Sequence, residues 1–257
     1  MSTTATAPRP FFQITGLRLR LWPILLAAIL MQAMLVPARD AARWVFKGHP
    51  GWFGHQIWAF VVLAELFQII VGLTAAFVLR RLLPQADTHL RWPPRRSYAG
   101  LALLIGIGLG AAMLVADYWP ELLHHAAPKN PYELTPLGIP GWLFAEGLAG
   151  PNEELVFRGV LVGMLAVLVP GRVQLGRIDL PVAGVIVGLL FAAAHYESFL
   201  VDPFYQAFAQ QLYAFVWGLI YVWLMERSKS LLAPAIAHGV GDMVEVGAIM
   251  ALTAIWG

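Results

Sequence analysis

"GLAGPNEELVFRGVLVGML", residues 147–165, sets two acids and an arginine inside a run that is otherwise almost wholly apolar. The flanking segments "GWLF" (141–144) and "AVLV" (166–169) are apolar as well. An ionisable side chain at the middle of a bilayer-spanning helix costs roughly 2.5–3.5 kcal/mol on insertion scales, and such residues persist where they face a protein interior and find partners there. Glu153, Glu154 and Arg158 therefore mark this stretch as a membrane helix carrying a buried polar site.

Composition supports the membrane reading. Of 257 residues, 59% are hydrophobic and only 12% charged, against about 25% charged in ordinary soluble domains. A hydrocarbon core roughly 30 Å thick needs about 20 mostly apolar residues per helical span. Candidate spans fall at 21–37, 57–79, 98–118, 142–168, 181–199, 207–226 and 232–256. The expected fold is thus all-α: one integral, multi-pass membrane domain over residues 1–257, a transmembrane helical bundle of seven spans, with eight as the alternative count. Residues 21–37 read as a retained span, since the region with Arg9, Arg18 and Arg20 before it lacks a clear small-residue cleavage site.

Charge placement gives an orientation. The loop at 80–97 holds Arg80, Arg81, Arg91, Arg95 and Arg96, whereas 119–141 holds Glu121, Glu133 and a single Lys129. The positive-inside rule puts the first loop and the N-terminus in the cytoplasm, and seven spans then leave the C-terminus outside. Arg39, Arg43 and Lys47 would lie on the outer side, which suggests that 38–56 forms an interfacial helix. The net charge of +2 gives no reason to expect nucleic acid as a partner; the lipid bilayer is the expected one. The chain has no cysteine, which removes disulfides, thiolate metal ligands and a cysteine nucleophile.

Three polar groups stand out in the C-terminal half. On a helix Glu154 and Arg158 are i,i+4 neighbours on one face, while Glu153 points about 100° away and stays free. Pro151, one turn earlier, removes a backbone donor and can open the helix locally. "FAAAH" (191–195) places His195 after three alanines, a thin helix face that permits close approach of a neighbour. "HGVGD" (238–242) places His238 and Asp242 on one face, with two glycines between them for close packing; Asp242 there would orient the imidazole. Each group alone reads equally well as structural glue between helices, an ion pair or a satisfied histidine. Together, groups on three separate spans could satisfy one another in one pocket.

The strings "EELVFR" (153–158), "FAAAH" and "HGVGD" resemble, in order and spacing, the EExxxR, FxxxH and HxxxN/D motifs of the CPBP family. That family comprises the CAAX prenyl endopeptidases and bacteriocin-processing proteins, also called the Abi family. The resemblance covers about residues 140–256 and implies an intramembrane endopeptidase acting on a membrane-associated protein or peptide. It implies that Glu153 and His195 activate water, that Glu154 and Arg158 hold the site in shape, that His238 and Asp242 stabilise the oxyanion, and that Phe191 packs beside the site. Candidate substrates are a prenylated C-terminal tail, a bacteriocin leader and a membrane-anchored regulator. The family's name as metalloproteases implies zinc or another divalent metal on Glu153, His195 and His238. These residues do not form HExxH, however, and water activation by an acid and a histidine with no cofactor stays open. Asp242 departs from the asparagine of many members: an ionised aspartate donates no hydrogen bond.

Other function classes compete. Glu65, Glu146, Glu153, Glu154 and Glu245 could form the relay of a proton-coupled transporter. A non-catalytic membrane scaffold would keep the motifs without turnover. "GVGD" also spells the GxGD of aspartyl intramembrane proteases, for which Asp117 is the candidate second aspartate.

Overall fold

The computed structural model describes residues 11–257; Arg9 lies outside them. A short strand β1 (Phe12–Thr15) precedes helices α1 (Leu21–Gly48), α2 (Ile57–Leu82) and α3 (Ala99–His124). Next comes one helical rod in three parts: α4 (Gly138–Glu154), a π-helical segment (Leu155–Val162) and α5 (Gly163–Leu168). The hairpin β2 (Arg172–Leu175) and β3 (Ile178–Pro181) leads to α6 (Val182–Ala194), the single turn α7 (Ser198–Val201), α8 (Phe204–Ser228) and α9 (Leu232–Trp256).

The helical bundle is as expected, with differences of detail. Among the described residues, six stretches are long and apolar enough to cross a bilayer: α1, α2, α3, Val182–Val201, α8 and α9. The seventh expected span, 142–168, is helical throughout, but it is divided by the π segment and carries Glu146, Glu153, Glu154 and Arg158, so it is not among the six. Residues 38–48 form no separate interfacial helix; α1 runs through Pro37 and carries Arg39, Arg43 and Lys47 on its last three turns. In α3 the backbone leaves helical geometry at Tyr118, two residues before Pro120, as a ring that blocks the i−4 hydrogen bond requires. The three strands, which apolar periodicity of helical length conceals, pair antiparallel in the order β1-β2-β3.

Close helix approach positions the site. Pro151 has no N–H, so the carbonyl of Gly147 lacks its helical donor. That carbonyl faces Gly239 of α9, where a Cβ would come within 2.7 Å of its oxygen. A Cβ on Gly150 would lie 2.4 Å from the Ala235 carbonyl. Only glycine permits this crossing, and it brings the end of α4 against the first half of α9. On the other side of α9, a Cβ on Gly110 of α3 would meet the Gly241 carbonyl at 2.3 Å. α9 is therefore gripped between two backbones.

Helix depth also falls into place. Glu153 lies about 22 Å from the end of its rod at 1.5 Å per residue, and His238 much nearer the start of α9. Gly159 stands level with Leu231, just before α9 begins, and Gly163 packs on the Asp87 carbonyl. The rod thus passes the start of α9, and the loop 83–98 covers its end. That loop is pinned by Arg91 Nε, which donates to the Lys229 carbonyl (2.9 Å), and by Leu231 N, which donates to the His89 carbonyl (3.1 Å). Burial presses the His89 imidazole below its ordinary range, against the pull of Asp87.

Gly239→Ala is expected to lower stability by about 1–3 kcal/mol, the usual cost of overpacking, measured by thermal unfolding in detergent. Gly108→Ala, where a Cβ would meet open space, is expected to cause no loss. Equal stability of the two variants would contradict the crossing described.

Candidate active site

Glu154 is the hub. It is fully buried, as is Arg158. Its Oε1 accepts from Arg158 Nη1 (2.9 Å) and from Nδ1 of His238 (2.9 Å). The i,i+4 pair expected from the sequence is present, and one oxygen ties α4 to its own π segment and to α9. The π geometry widens the helix where Arg158 must turn back toward Glu154, and π segments recur at functional sites.

Arg158 makes its other contacts through its plane. The guanidinium carbon lies 4.4 Å from the ring centre of Phe191 and 5.2 Å from that of Tyr221. Desolvated cation–π contacts of this kind are worth about 2 kcal/mol each. A Cβ at Gly218 would stand 3.1 Å from Nη2, so this glycine leaves room for the guanidinium. Phe191 meets His195 edge-on at 5.0 Å and His238 at 5.8 Å, and Tyr221 stacks on His238 at 4.9 Å. Phe191 thus lies in contact with both histidines.

The other acids face the opposite side of His238. Its Nε2 stands 3.7 Å from Glu153 Oε2 and 3.5 Å from Asp242 Oδ2. The expectation that Asp242 orients the imidazole meets a different arrangement: Glu154 holds Nδ1, and Asp242 sits beside Nε2. His195 ends α6 with non-helical backbone, and its Nδ1 lies 2.8 Å from the Phe191 carbonyl. A carbonyl only accepts, so Nδ1 carries a proton, and Nε2 makes no hydrogen bond within the protein.

Glu153, His195, His238 and Asp242 line one cavity of about 260 Å³. Glu65, Glu146 and Glu245 line it too, so four of the five acids considered for a proton relay meet there; Glu154 is sealed behind them. A second cavity of about 200 Å³ shares Glu65, Glu153 and His195 and opens between α1, α2 and the end of α6. At its mouth Arg39 pairs with Glu197 at 3.3 Å. Asp117 is not among the lining residues of either; its carboxylate accepts from the Tyr213 hydroxyl at 2.9 Å.

Two contributors were not singled out from the sequence. Asn152 is fully buried and donates to Glu65 (2.6 Å) and Gln68 (2.7 Å), fastening α4 to α2 beside Glu153. Its signal was an amide inside an apolar run, next to the acids. Tyr221 had none, since an aromatic in an apolar helix reads as packing.

The side chains are not drawn together around a metal position. Among the described residues no group of three His, Asp or Glu is arranged to hold an ion. Nδ1 of His238 is held by Glu154 and Nδ1 of His195 by a backbone carbonyl, which leaves the Nε2 of each ring without a hydrogen bond.

Fold and site together define a multi-span helical membrane protein with a polar cavity between its helices, lined from α2, α3, α4, α6, α8 and α9. Residues 135–244 match the family model described as Rce1-like, type II CAAX prenyl endopeptidase Rce1-like. The matched stretch starts just before α4 and ends within α9, so it contains all three motifs. The resemblance drawn from those motifs is borne out over this stretch. Neither the comparison with curated proteins nor that with solved structures returned a match.

Arg158→Leu is expected to cost about 3–5 kcal/mol, because it leaves Glu154 uncompensated in the core; thermal unfolding would read it. The double variant Glu154→Gln/Arg158→Leu is expected to lose less than the single. A single variant of wild-type stability would overturn the hub.

Proposed function

We propose that this protein is an intramembrane endopeptidase that hydrolyses a peptide bond of a membrane-associated substrate. The observation that carries the proposal is one cavity walled by Glu153, His195 and His238, three residues within the segment matched to the CAAX endopeptidase family. Glu153 takes a proton from a water held between its carboxylate and the free Nε2 of His195. The hydroxide so formed attacks the scissile carbonyl carbon. His238 donates its Nδ1 proton to Glu154 and, flanked by two further carboxylates, carries its second proton on Nε2, aimed at the developing oxyanion. Asp242 supports that charged ring rather than donating itself, which accounts for an aspartate at this position. Glu153 then returns its proton to the leaving amine, and the C–N bond breaks to give a carboxylic acid and an amine. Oxyanion donors in a dry site are worth about 2.7–4 kcal/mol each. No step requires a metal.

The helical rod Gly138–Leu168 crosses the membrane as a seventh span under this proposal, its charges turned inward, and the N-terminus is cytoplasmic. A transporter is the second reading, favoured by the five carboxylates Glu65, Glu146, Glu153, Asp242 and Glu245 on one cavity.

Glu153→Gln is expected to reduce peptide cleavage by at least about 10²-fold, the lower end of general-base contributions, while the protein stays folded. The measurement compares membrane peptides accumulating in cells with wild type and variant. A peptide processed only by wild type names substrate and reaction; unchanged biological activity of the variant favours the scaffold, and altered proton flux with no processed peptide favours the transporter. Purified wild-type protein is expected to keep its activity in excess chelator, and activity lost there and restored by zinc would contradict the metal-free route.

A further inference from the structure

The small sheet at the end of the bundle has two unlike faces. Its register aligns Phe12 with Leu175 and Leu175 with Ile178, and aligns Ile14 with Val173 and Val173 with Leu180. Partners in register share a face, and successive residues alternate. One face is therefore entirely apolar: Phe12, Ile14, Val173, Leu175, Ile178 and Leu180. The other carries Gln13, Thr15, Arg172, Gln174 and Asp179.

Burial separates the two ends of the apolar face. Leu180 is buried in the main core of the bundle. Phe12, Ile14, Leu175 and Ile178 are 57%, 46%, 46% and 45% exposed. The polar face is fastened down: Arg172 Nε donates to both carboxylate oxygens of Asp179 at 2.9 Å, and its guanidinium reaches Glu226 at the end of α8 at 3.4 Å. The sheet cannot rotate to hide its apolar side without breaking the pair between Arg172 and Glu226. Backbone bonds beyond the ladder hold β1 to the hairpin, from Arg18 N to the Pro170 carbonyl (3.1 Å) and from Gly176 N to the Phe11 carbonyl (2.7 Å).

We propose that this sheet lies in the membrane interface, its apolar face resting on lipid acyl chains and its polar face in the headgroup layer. Continuity with the spans argues for lipid as the occupant. β1 is separated from α1 by five residues, and β3 runs directly into the stretch Val182–Val201, both long and apolar enough to cross a bilayer. The exposed apolar band continues from the sheet through Leu17, Leu19, Leu21 and Trp22 onto the outer surface of α1. Arg18 and Arg20 alternate with those leucines, and Trp22 follows, which is the composition of an interfacial anchor. An element with one apolar and one charged face lies in the plane of the interface rather than across it. β2 and β3 join the rod bearing Glu153, Glu154 and Arg158 to the helix ending at His195. A sheet floated at fixed depth would thus fix the depth of both catalytic helices from one point.

The chain has no cysteine, so single substitutions accept a nitroxide label uniquely. Full-length Phe12→Cys, Gln13→Cys and Ile178→Cys, labelled and reconstituted in vesicles of phosphatidylcholine and phosphatidylglycerol, are compared by power saturation with oxygen and with a water-soluble nickel chelate. Labels at 12 and 178 are expected to be relaxed several-fold more by oxygen than by nickel, with the order reversed at 13. Nickel dominating at all three positions would place the face in water and overturn the proposal. Labels at 12 and 178 shielded from both reagents, or broadened by a second label nearby, would show a protein or a second copy on the face and would overturn it equally.

Discussion

The two hydrogen bonds converging on Glu154 Oε1 hold the site together. A carboxylate and a guanidinium buried away from water would each cost several kcal/mol unpaired. Here the arginine pairs with the glutamate, two aromatic rings cover its plane, and the imidazole of another helix takes the same oxygen. The arrangement fixes where His238 stands and leaves its Nε2 facing the cavity. It also frees Glu153: with its neighbour sealed in the core, the adjacent acid points the other way and reaches the cavity wall. Adjacent glutamates on a helix, about 100° apart, thereby reach different surroundings, one the sealed core and one the cavity.

The glycine crossings make this geometry attainable. A side chain at Gly150 or Gly239 would push α4 away from α9 and draw Glu154 off His238. Pro151 acts in the same place by leaving the Gly147 carbonyl without a helical donor. The π segment follows immediately and turns Arg158 back. Backbone irregularity inside a membrane is tolerated where it lies against protein and not against lipid, and every residue of the π segment is buried.

Much of this was readable from residues. Apolar runs of spanning length gave the helices, because lipid leaves the backbone no other economical conformation. The pairing of Glu154 with Arg158, and the freedom of Glu153, followed from helical angles alone. The role of the glycines in "HGVGD" followed from their size. What could not be read depended on partners distant in the chain. The hold of Glu154 on His238 spans 84 positions, so the orienting role fell by default to Asp242, the nearer acid. The contact of Asn152 with Glu65 and Gln68 spans helices whose facing sides no single segment specifies. The sheet escaped notice because its strands are four residues each and are paired only through the fold.

The account depends on a hydrogen bond between Glu154 and His238 inside the bilayer. Solid-state NMR on full-length protein in lipid, with the Glu side-chain carboxyl carbons and His ring nitrogens labelled, measures it directly by carbon–nitrogen dipolar recoupling. The expected result is a short-range coupling of the His238 Nδ1 to a glutamate carboxyl that disappears in Glu154→Gln and persists in Glu153→Gln. No such coupling in wild type, with His238 instead showing contacts to lipid acyl protons, would contradict it.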